Sequence, residues 1–436
     1  MRLLFNNLPE WIQLEHQVAQ ILTEQEIYGW HFDERAAWEL ESTLRKEYED
    51  TCQILRDRHP YVEGDRFTPK RANRTKGYHA GTGNFVEVPD HGKIEECTLT
   101  KLKEFNPTSR DHISWILQTH YGWTPSLLTK SGKAVIDETV LKDIGSDTAL
   151  AFLKLLDLTK QLGMISKGVN AWQKLVTTSS RIHHHCSTTT STFRCSHRKP
   201  NLAQVPADER FRKLFTASPK YVMVGADLSG IELRMLAHYL ARFDQGRYAE
   251  ILLNGDIHQT NADKIGISRR LVKTVTYAFL YGAGDTKIGL SYDKQLPKDK
   301  AAAKGKEIRK AYIDAIPGLK QLLEAVHERS KEGHVFGIDR RKILVDSQHK
   351  SLNYLLQGSA ACIAKRWLVM ANEHPLKTPR QLAFVHDELQ FEVQPEEVND
   401  LKFHLEYSAV LAGEYYNTRC PIAAEAKAGA NWAEVH

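Results

Sequence analysis

Apolar residues recur at helical spacing over residues 8–56. Leu14, Val18, Ile21 and Leu22 form one stripe, and Leu40, Leu44 and Tyr48 form a second after Asp33, a candidate cap. The pattern stops at 57–93. There "DRFTPKRANRTKGYHAGTGNF" is basic, rich in Gly and Thr and without period, which predicts a long loop or small insertion. Helical spacing returns from about Ser109 to Gln173, and "RIHHHCSTTTSTF" (181–193) predicts strand or extended loop. In "KYVMVGADLSGIELRMLAHYLA" (220–241) the period changes midway. An apolar strand ends at Asp227, Ser229-Gly230 turn the chain, and Leu233, Leu236, Ala237 and Leu240 face inward on a helix. Asn261 to about Ala371 reads mostly helical. "QLAFVHDELQFEV" (381–393) places two short apolar runs around His386, Asp387 and Glu388, a hairpin-like pattern. A helix over Glu397–Tyr416 and a short tail to His436 follow, with no internal repeat or low-complexity tract.

Composition narrows the class. The 436 residues suffice for two or three domains or one large multi-lobed enzyme, and 42% hydrophobic content supplies a sizeable core. The net charge of +5 (59 Lys+Arg minus 54 Asp+Glu) permits a polyanionic partner without demanding one. None of the six cysteines forms a C-x-x-C pair, so no disulfide framework is expected and a reducing cytoplasm fits. The start, "MRLLFNNLPEWIQ", lacks the apolar run of a signal peptide, and no stretch of about 18 apolar residues predicts a membrane span.

The candidate chemistry lies in three places. Asp227 ends one predicted strand, and Asp387 sits between two others, 160 residues further on (387 minus 227). If those strands share a sheet, both carboxylates converge on one edge and offer the hard oxygen ligands by which Mg²⁺ is held. Two such ions about 4 Å apart activate an attacking oxygen and stabilise a leaving one. Alone, Asp227 reads as a cap or turn residue, and Asp387-Glu388 as a solvated hairpin turn. The third place shifts the balance. "RRLVKTVTYAFLYGAG" (269–284) sets Arg269, Lys273, Tyr277 and Tyr281 at successive steps of four, cations first and aromatics after, along one helix face. Such a face can hold a triphosphate and stack a base; the plainer reading is an amphipathic helix with core tyrosines.

These stretches resemble the family A (DNA polymerase I-like) DNA polymerases, and most of all the replicative polymerases of T-seven-like short-tailed phages. "DLSGIELR" (227–234) is similar to motif A, Arg269 with "RLVKTVTYAFLYG" to motif B, and "VHDE" (385–388) to motif C. "FNPTSRDHI", "PNLAQVP", "NGDIHQTNA", "LNYLLQGSA" and "NWAEVH" extend the likeness from near Leu8 to the end. Three motifs in order at fitting separations are far more specific than any one. The resemblance implies an α+β right-hand fold: a helical thumb over about 1–175 with the basic insertion at 57–93, a palm with an antiparallel sheet over 176–239 and 355–436, and helical fingers over 240–354. It implies that a primer 3′-hydroxyl attacks the α-phosphate of a dNTP and releases pyrophosphate. Two Mg²⁺ ions, replaceable by Mn²⁺, would sit on Asp227, Asp387 and the Leu228 carbonyl, with Glu388 adding charge or orienting the site. Arg269, Lys273 and His258 would face the triphosphate, Lys273 also as general acid. Tyr277 would lie against the incoming sugar and base and confer dideoxynucleotide tolerance. Glu232 would gate against a ribose 2′-hydroxyl, and Tyr281 would lie near the templating base. Arg194, Gln357, Asn353 and His386 would contact DNA near the primer end.

Some segments depart from the family. Phe193 stands where relatives carry Gly before the counterpart of Arg194, which weakens that assignment because Phe is excluded from the Gly-only backbone regions. "HHHCSTTTSTFRCSH" supplies the residue types of a zinc site (His183, His184, His185, Cys186, Cys195, His197), but its spacing fits no ordinary pattern and a structural role is preferred. The 57–93 segment sits where phage relatives bind host thioredoxin; its Arg66, Lys70, Arg71, Arg74 and Lys76 suit a DNA clamp, with or without a thioredoxin-like processivity partner. A disordered surface loop is the alternative. Relatives carry a 3′–5′ exonuclease domain ahead of the thumb, and this chain has no room for one. It is read as a truncated piece, a polymerase without proofreading, or one half of a split enzyme whose exonuclease is separate, and Met1 favours the last two. Localisation is expected in the cytoplasm of an infected bacterial host. The rival readings are a phage-type single-subunit RNA polymerase, opposed by Glu232 and the Asp387-Glu388 pair, and a non-catalytic DNA-binding subunit, opposed by intact Asp227 and Asp387.

Overall fold

The period-two stretches assemble into one antiparallel sheet of four strands: β1 (Val222–Leu228), β2 (Arg380–Val385), β3 (Glu388–Val393) and β4 (Ala424–Gly429), in the order β2-β3-β1-β4. The computed structural model describes residues 8–67, 77–78, 85–86, 99–125, 127–293 and 296–436. The chain forms two units, residues 1–36 with 172–436, and residues 37–171. The sheet lies in the larger one. Alternation in "ELQFEV" turns Leu389, Phe391 and Val393 to one face of the sheet and Glu388, Gln390 and Glu392 to the other, yet all six residues are buried.

The apolar face forms the core. Val224, Ala226 and Leu228 join Leu389, Phe391 and Val393 there. Leu14, Val18 and Leu22 of α1 (Glu10–Tyr28) belong to the same core, as do Leu233, Leu236, Ala237 and Leu240 of α2 (Ile231–Asp244). So do Val275 and Phe279 of α3 (Arg269–Leu280). The 22-residue α4 (Ser351–Asn372) and α5 (Val398–Tyr415) contribute Ile363, Trp367, Leu401 and Leu405. One buried ion cluster crosses this packing. Glu15 of α1 accepts from Lys365 Nζ at 2.7 and 2.8 Å and from Arg341 at 2.5 Å, and Lys365 is only 1% exposed. A buried ammonium requires such a partner.

The carboxylates of the polar face are hydrogen-bonded, while the Gln390 side-chain oxygen has no partner among the described residues. Glu392 accepts from the Ser218 backbone N–H at 2.7 Å, the Ser218 hydroxyl at 2.9 Å, Arg181 at 3.4 Å and the Tyr28 hydroxyl. Gly225 stands opposite Gln390. A Cβ at Gly225 would meet the Gln390 side chain at 2.6 Å and the Val435 carbonyl at 2.7 Å, so the C-terminal segment crosses the sheet where only glycine leaves room.

Several expectations hold and several change. Asp33 accepts from the Ala36 N–H at 2.9 Å, as a cap should, but 8–56 is two helices, with the two-residue strand Trp30–His31 between them. The Ser109–Gln173 stretch is broken into helices Arg110–Tyr121, Glu138–Ile144 and Asp147–Leu162, capped by Ser109, Asp137 and Ser146, with further turns to Leu175. In the smaller unit Leu55, Val62, Phe105, Ile113, Leu117, Phe152 and Leu155 share a core. Part of the expected loop is strand, since Tyr61–Phe67 pairs antiparallel with Leu99–Glu104. Lys70, Arg71, Arg74 and Lys76 lie outside the described residues, and Arg66 is described in backbone only. The expected tail contains β4, the edge strand beside β1. Among the described residues no helix is long and apolar enough to cross a membrane.

Candidate active site

Strand pairing brings the two aspartates together. Asp227 is the penultimate residue of β1 and pairs in register with Glu388, the first residue of β3. Val385 and Glu388 close a two-residue turn made of His386 and Asp387. The Leu228 N–H donates to the Asp387 carbonyl at 3.0 Å, which ties the turn to the end of β1. His386 takes φ 61°, a left-handed conformation uncommon for a residue with a Cβ, so its surroundings must hold it.

The electrostatics of this corner are unfavourable to anions. Burial raises the Asp227 carboxyl to about 7, with further repulsion from Asp387 and Glu388. Asp227 nonetheless faces solvent, so its ionisation is set by a cleft that is crowded by acids and still open to water. Asp387 is pushed up to about 6, by burial first and Glu232 next, with Arg194 pulling the other way. A divalent cation would relieve this crowding, and carboxylates with the adjoining Leu228 carbonyl are the hard donors Mg²⁺ takes. The residues present therefore fit the metal. Glu388 differs. It is 6% exposed, and its carboxylate accepts from Trp432 Nε1 and Gln390 Nε2, each at 2.5 Å, and lies 3.1 Å from His436 Nδ1. Of the two acids beside the turn, Asp387 stays partly exposed, while β3 pairing turns Glu388 under the C-terminal segment.

The helix with four-residue spacing is α3. Ser268 caps it by accepting from the Leu271 N–H, and Tyr281 is the residue that ends it, just before Gly282 at φ 69°. Lys273 is exposed and makes no ion pair among the described residues. Arg269 Nε donates to Asp256 at 2.7 Å. Asp256 also caps the helix Ile257–Ile265, accepting from the N–H groups of His258 and Gln259 at 3.0 Å each. His258 is buried, its imidazole held below its ordinary range by burial and then by Arg269, and its ring lies 6.2 Å from that of Tyr277. One carboxylate thus fixes both Arg269 and the helix that carries His258.

Glu232 is a second junction. Its Oε1 accepts from Arg194 at 2.6 Å and from the Tyr281 hydroxyl at 2.9 Å. Burial and then Glu232 push the Tyr281 hydroxyl up to about 12. Three residues expected around the nascent base pair are therefore bonded to one another. Phe193 does adopt the left-handed region, at φ 61°, with its N–H on the Thr190 carbonyl and the Arg341 guanidinium 4.8 Å over its ring. Its lack of glycine freedom does not keep Arg194 from Glu232. Asn353 donates its amide to the Leu280 carbonyl at the end of α3, while Gln357, on the same helix α4, makes no side-chain hydrogen bond among the described residues. Asp256 and Trp432 were not singled out by sequence reasoning. Asp256 precedes His258 by two residues in the cap position of a helix, a signal that was available.

A sheet that presents two aspartates at one end, linked through Glu232 and Tyr281 to a helix bearing Arg269, Lys273 and Tyr277, is the arrangement of a right-hand nucleic-acid polymerase. The family model for DNA polymerase family A matches residues 90–434. The DNA-directed DNA polymerases of Enterobacteria phage T3 and Escherichia phage T7 are each 31% identical to the chain, over 98% of it and 70% of their own length. The POL domain of Pol1 from M. smegmatis, solved with DNA primer-template and dNTP, superposes with a TM-score of 0.76 at 21% identity, over 97% of this chain and 70% of that one, and shares its fold. The chain belongs to DNA polymerase family A and is a DNA-directed DNA polymerase.

Proposed function

We propose that the chain extends a DNA primer along a template by a two-metal mechanism, in phage DNA replication. The observation that carries this is the meeting of Asp227 and Asp387 at one end of the sheet, where each is held above its ordinary ionisation range. Two Mg²⁺ ions, or Mn²⁺ in their place, supply charge neutralisation for the attacking 3′-hydroxyl and the leaving pyrophosphate. Asp227, Asp387 and the Leu228 carbonyl would hold them. Arg269, Lys273 and His258 bind the triphosphate of the incoming dNTP, and Lys273 gives a proton to the leaving group. Tyr277 packs on the sugar and base, Glu232 excludes a 2′-hydroxyl, and Tyr281 stands by the templating base. Arg194 and Gln357 read minor-groove acceptors that every correct pair presents alike, His386 approaches the primer terminus, and Asn353 also serves the primer–template duplex. Residues 1–175 act as thumb, 176–239 and 355–436 as palm, and 240–354 as fingers.

Primer extension with the wild-type chain and with Asp387→Ala tests the reading. Extension by the wild type with dNTPs and Mg²⁺, lost in the variant, is expected. Undiminished extension by Asp387→Ala would remove the metal assignment, and a preference for ribonucleotides would move the chain to the RNA-polymerase class.

A further inference from the structure

The hairpin beside the catalytic turn carries a second set of metal-capable side chains. His185–Ser187 pairs antiparallel with Ser196–Arg198, and the register sets Cys186 opposite His197. His184, two residues before Cys186, falls on the same side. Its ring stacks on that of His197 with centroids 6.0 Å apart. All three are buried, His184 completely. Their donor atoms lie within 4.8 Å of one another, and Cys186 Sγ is 3.2 Å from His197 Nδ1. In a tetrahedral zinc site neighbouring ligand atoms stand roughly 3.3–3.6 Å apart, so this pair is a little closer than that spacing and small side-chain rotations would bring all three onto it.

The polar groups here do not close among themselves. Gln25 Nε2 lies 3.0 Å from His184 Nε2 and 3.6 Å from Cys186 Sγ, so an amide N–H answers two of the three donors. His184 Nδ1 and His197 Nε2 have no hydrogen-bond partner among the described residues. A histidine kept in a core for packing ordinarily pairs both ring nitrogens. Two imidazoles and a thiol thus converge in a core, their facing lone pairs met only by an amide N–H and by each other, with the outer nitrogen of each ring unpartnered.

We propose that His184, Cys186 and His197 bind one Zn²⁺ ion. Thiolate and imidazole are the ligands this borderline-soft ion takes, and they distinguish the site from the all-oxygen donors at Asp227 and Asp387. On binding, the Cys186 thiol releases its proton to solvent and both imidazoles coordinate as neutral rings. The fourth position is left to a water molecule, as in three-ligand zinc sites, and the Gln25 amide keeps its bond from Gln381 Nε2 at 2.7 Å. The His197 ring also meets the His386 ring edge-on at 6.0 Å. The ion would therefore stiffen the wall against which the left-handed turn residue rests. That consequence rests on the polymerase reading; the binding itself does not.

The test uses the full chain and no polymerase readout. Elemental analysis after passage over chelating resin should find about one zinc per chain. Co²⁺ added to the stripped protein should give a thiolate-to-cobalt charge-transfer band, which the carboxylate site, lacking sulfur, is unable to produce. Cys186→Ser should abolish the band and the zinc. Cys195→Ser, which changes the hairpin's other buried thiol, should keep both. A wild-type chain with neither zinc nor the band overturns the proposal without recourse to any variant, as does a band that survives Cys186→Ser.

Discussion

Replacing Asp387 by Asn should make the metal-free protein more stable while removing its activity. Asp387 ionises at about 6 in the folded chain, against about 3.9 for an unfolded aspartate. Once fully charged it carries a penalty of about 3 kcal/mol. Asp387 is half-buried, and water at the cleft trims this to about 2 kcal/mol. The penalty is absent below the unfolded value, grows as pH rises through the folded one, and is complete by about pH 7. Asn keeps the shape and removes the charge. In EDTA near pH 7.5 the variant should therefore melt about 3 °C above wild type. The gap should close as pH falls to about 3, below the unfolded value, where the wild-type carboxyl is protonated on both sides of the transition. Mg²⁺ should stabilise the wild type more than the variant and narrow the gap from the other direction. Primer extension should fall at least about 10³-fold, equivalent to about 4 kcal/mol of barrier. Calorimetry over that pH range decides the matter. A variant no more stable than wild type in EDTA, or a gap indifferent to pH, would refute the electrostatic crowding inferred at the sheet end.

Four further outcomes follow from named contacts. Tyr277→Phe removes one polar partner for a nucleotide without a 3′-hydroxyl, so dideoxynucleotide incorporation should drop about fivefold or more relative to dNTP, the worth of about 1 kcal/mol, in competitive extension assays. Lys273→Ala should lower single-turnover extension by on the order of 10²–10⁴-fold, with Lys273→Arg restoring triphosphate binding but not proton donation, seen as a recovered KM with depressed kcat. Glu232→Ala frees Arg194 and Tyr281 and opens the space by the sugar; ribonucleotide incorporation should rise on the order of 10–100-fold, and an unchanged ratio would remove its gating role. Gly225→Ala forces a Cβ to within 2.7 Å of Gln390 and the Val435 carbonyl and should destabilise the larger unit by about 1–3 kcal/mol, measured as a lowered Tm.

The parts of this fold that were legible in the sequence are those whose period is carried by side chains of unmistakable character. Val222 and Val224 followed by Leu233, Leu236 and Leu240 announce a strand and then a helix, and the hairpin around His386-Asp387 shows in the apolar runs on either side. β4 was not legible. "AEAKAG" favours helix by propensity and becomes strand because it lies along the open edge of β1. The fate of Glu388 was equally hidden, since its partner Trp432 is 44 residues away and the pairing that buries it is a property of the sheet. His184, Cys186 and His197 were named as zinc-type residues but set aside on their spacing, because an antiparallel hairpin joins positions that no fixed interval along the chain relates. The site residues were named by resemblance, and their mutual bonds, Arg194 on Glu232 and Arg269 on Asp256, came only from the structure.

Those two bonds shape how a ligand enters. Arg269 lies on Asp256, and Arg194 on Glu232, before any nucleotide or DNA arrives. On the proposed role of Arg269, docking a triphosphate there is an exchange of one ion pair for another, with a carboxylate set free to water as a phosphate is taken up. Exchange has a smaller net free energy than capture by a bare cation, and it is less steep in salt. A polyanion that fails to match both junctions regains nothing for the pairs it breaks. Selectivity can therefore begin before any base is read, in the act of prising the site's own charges apart.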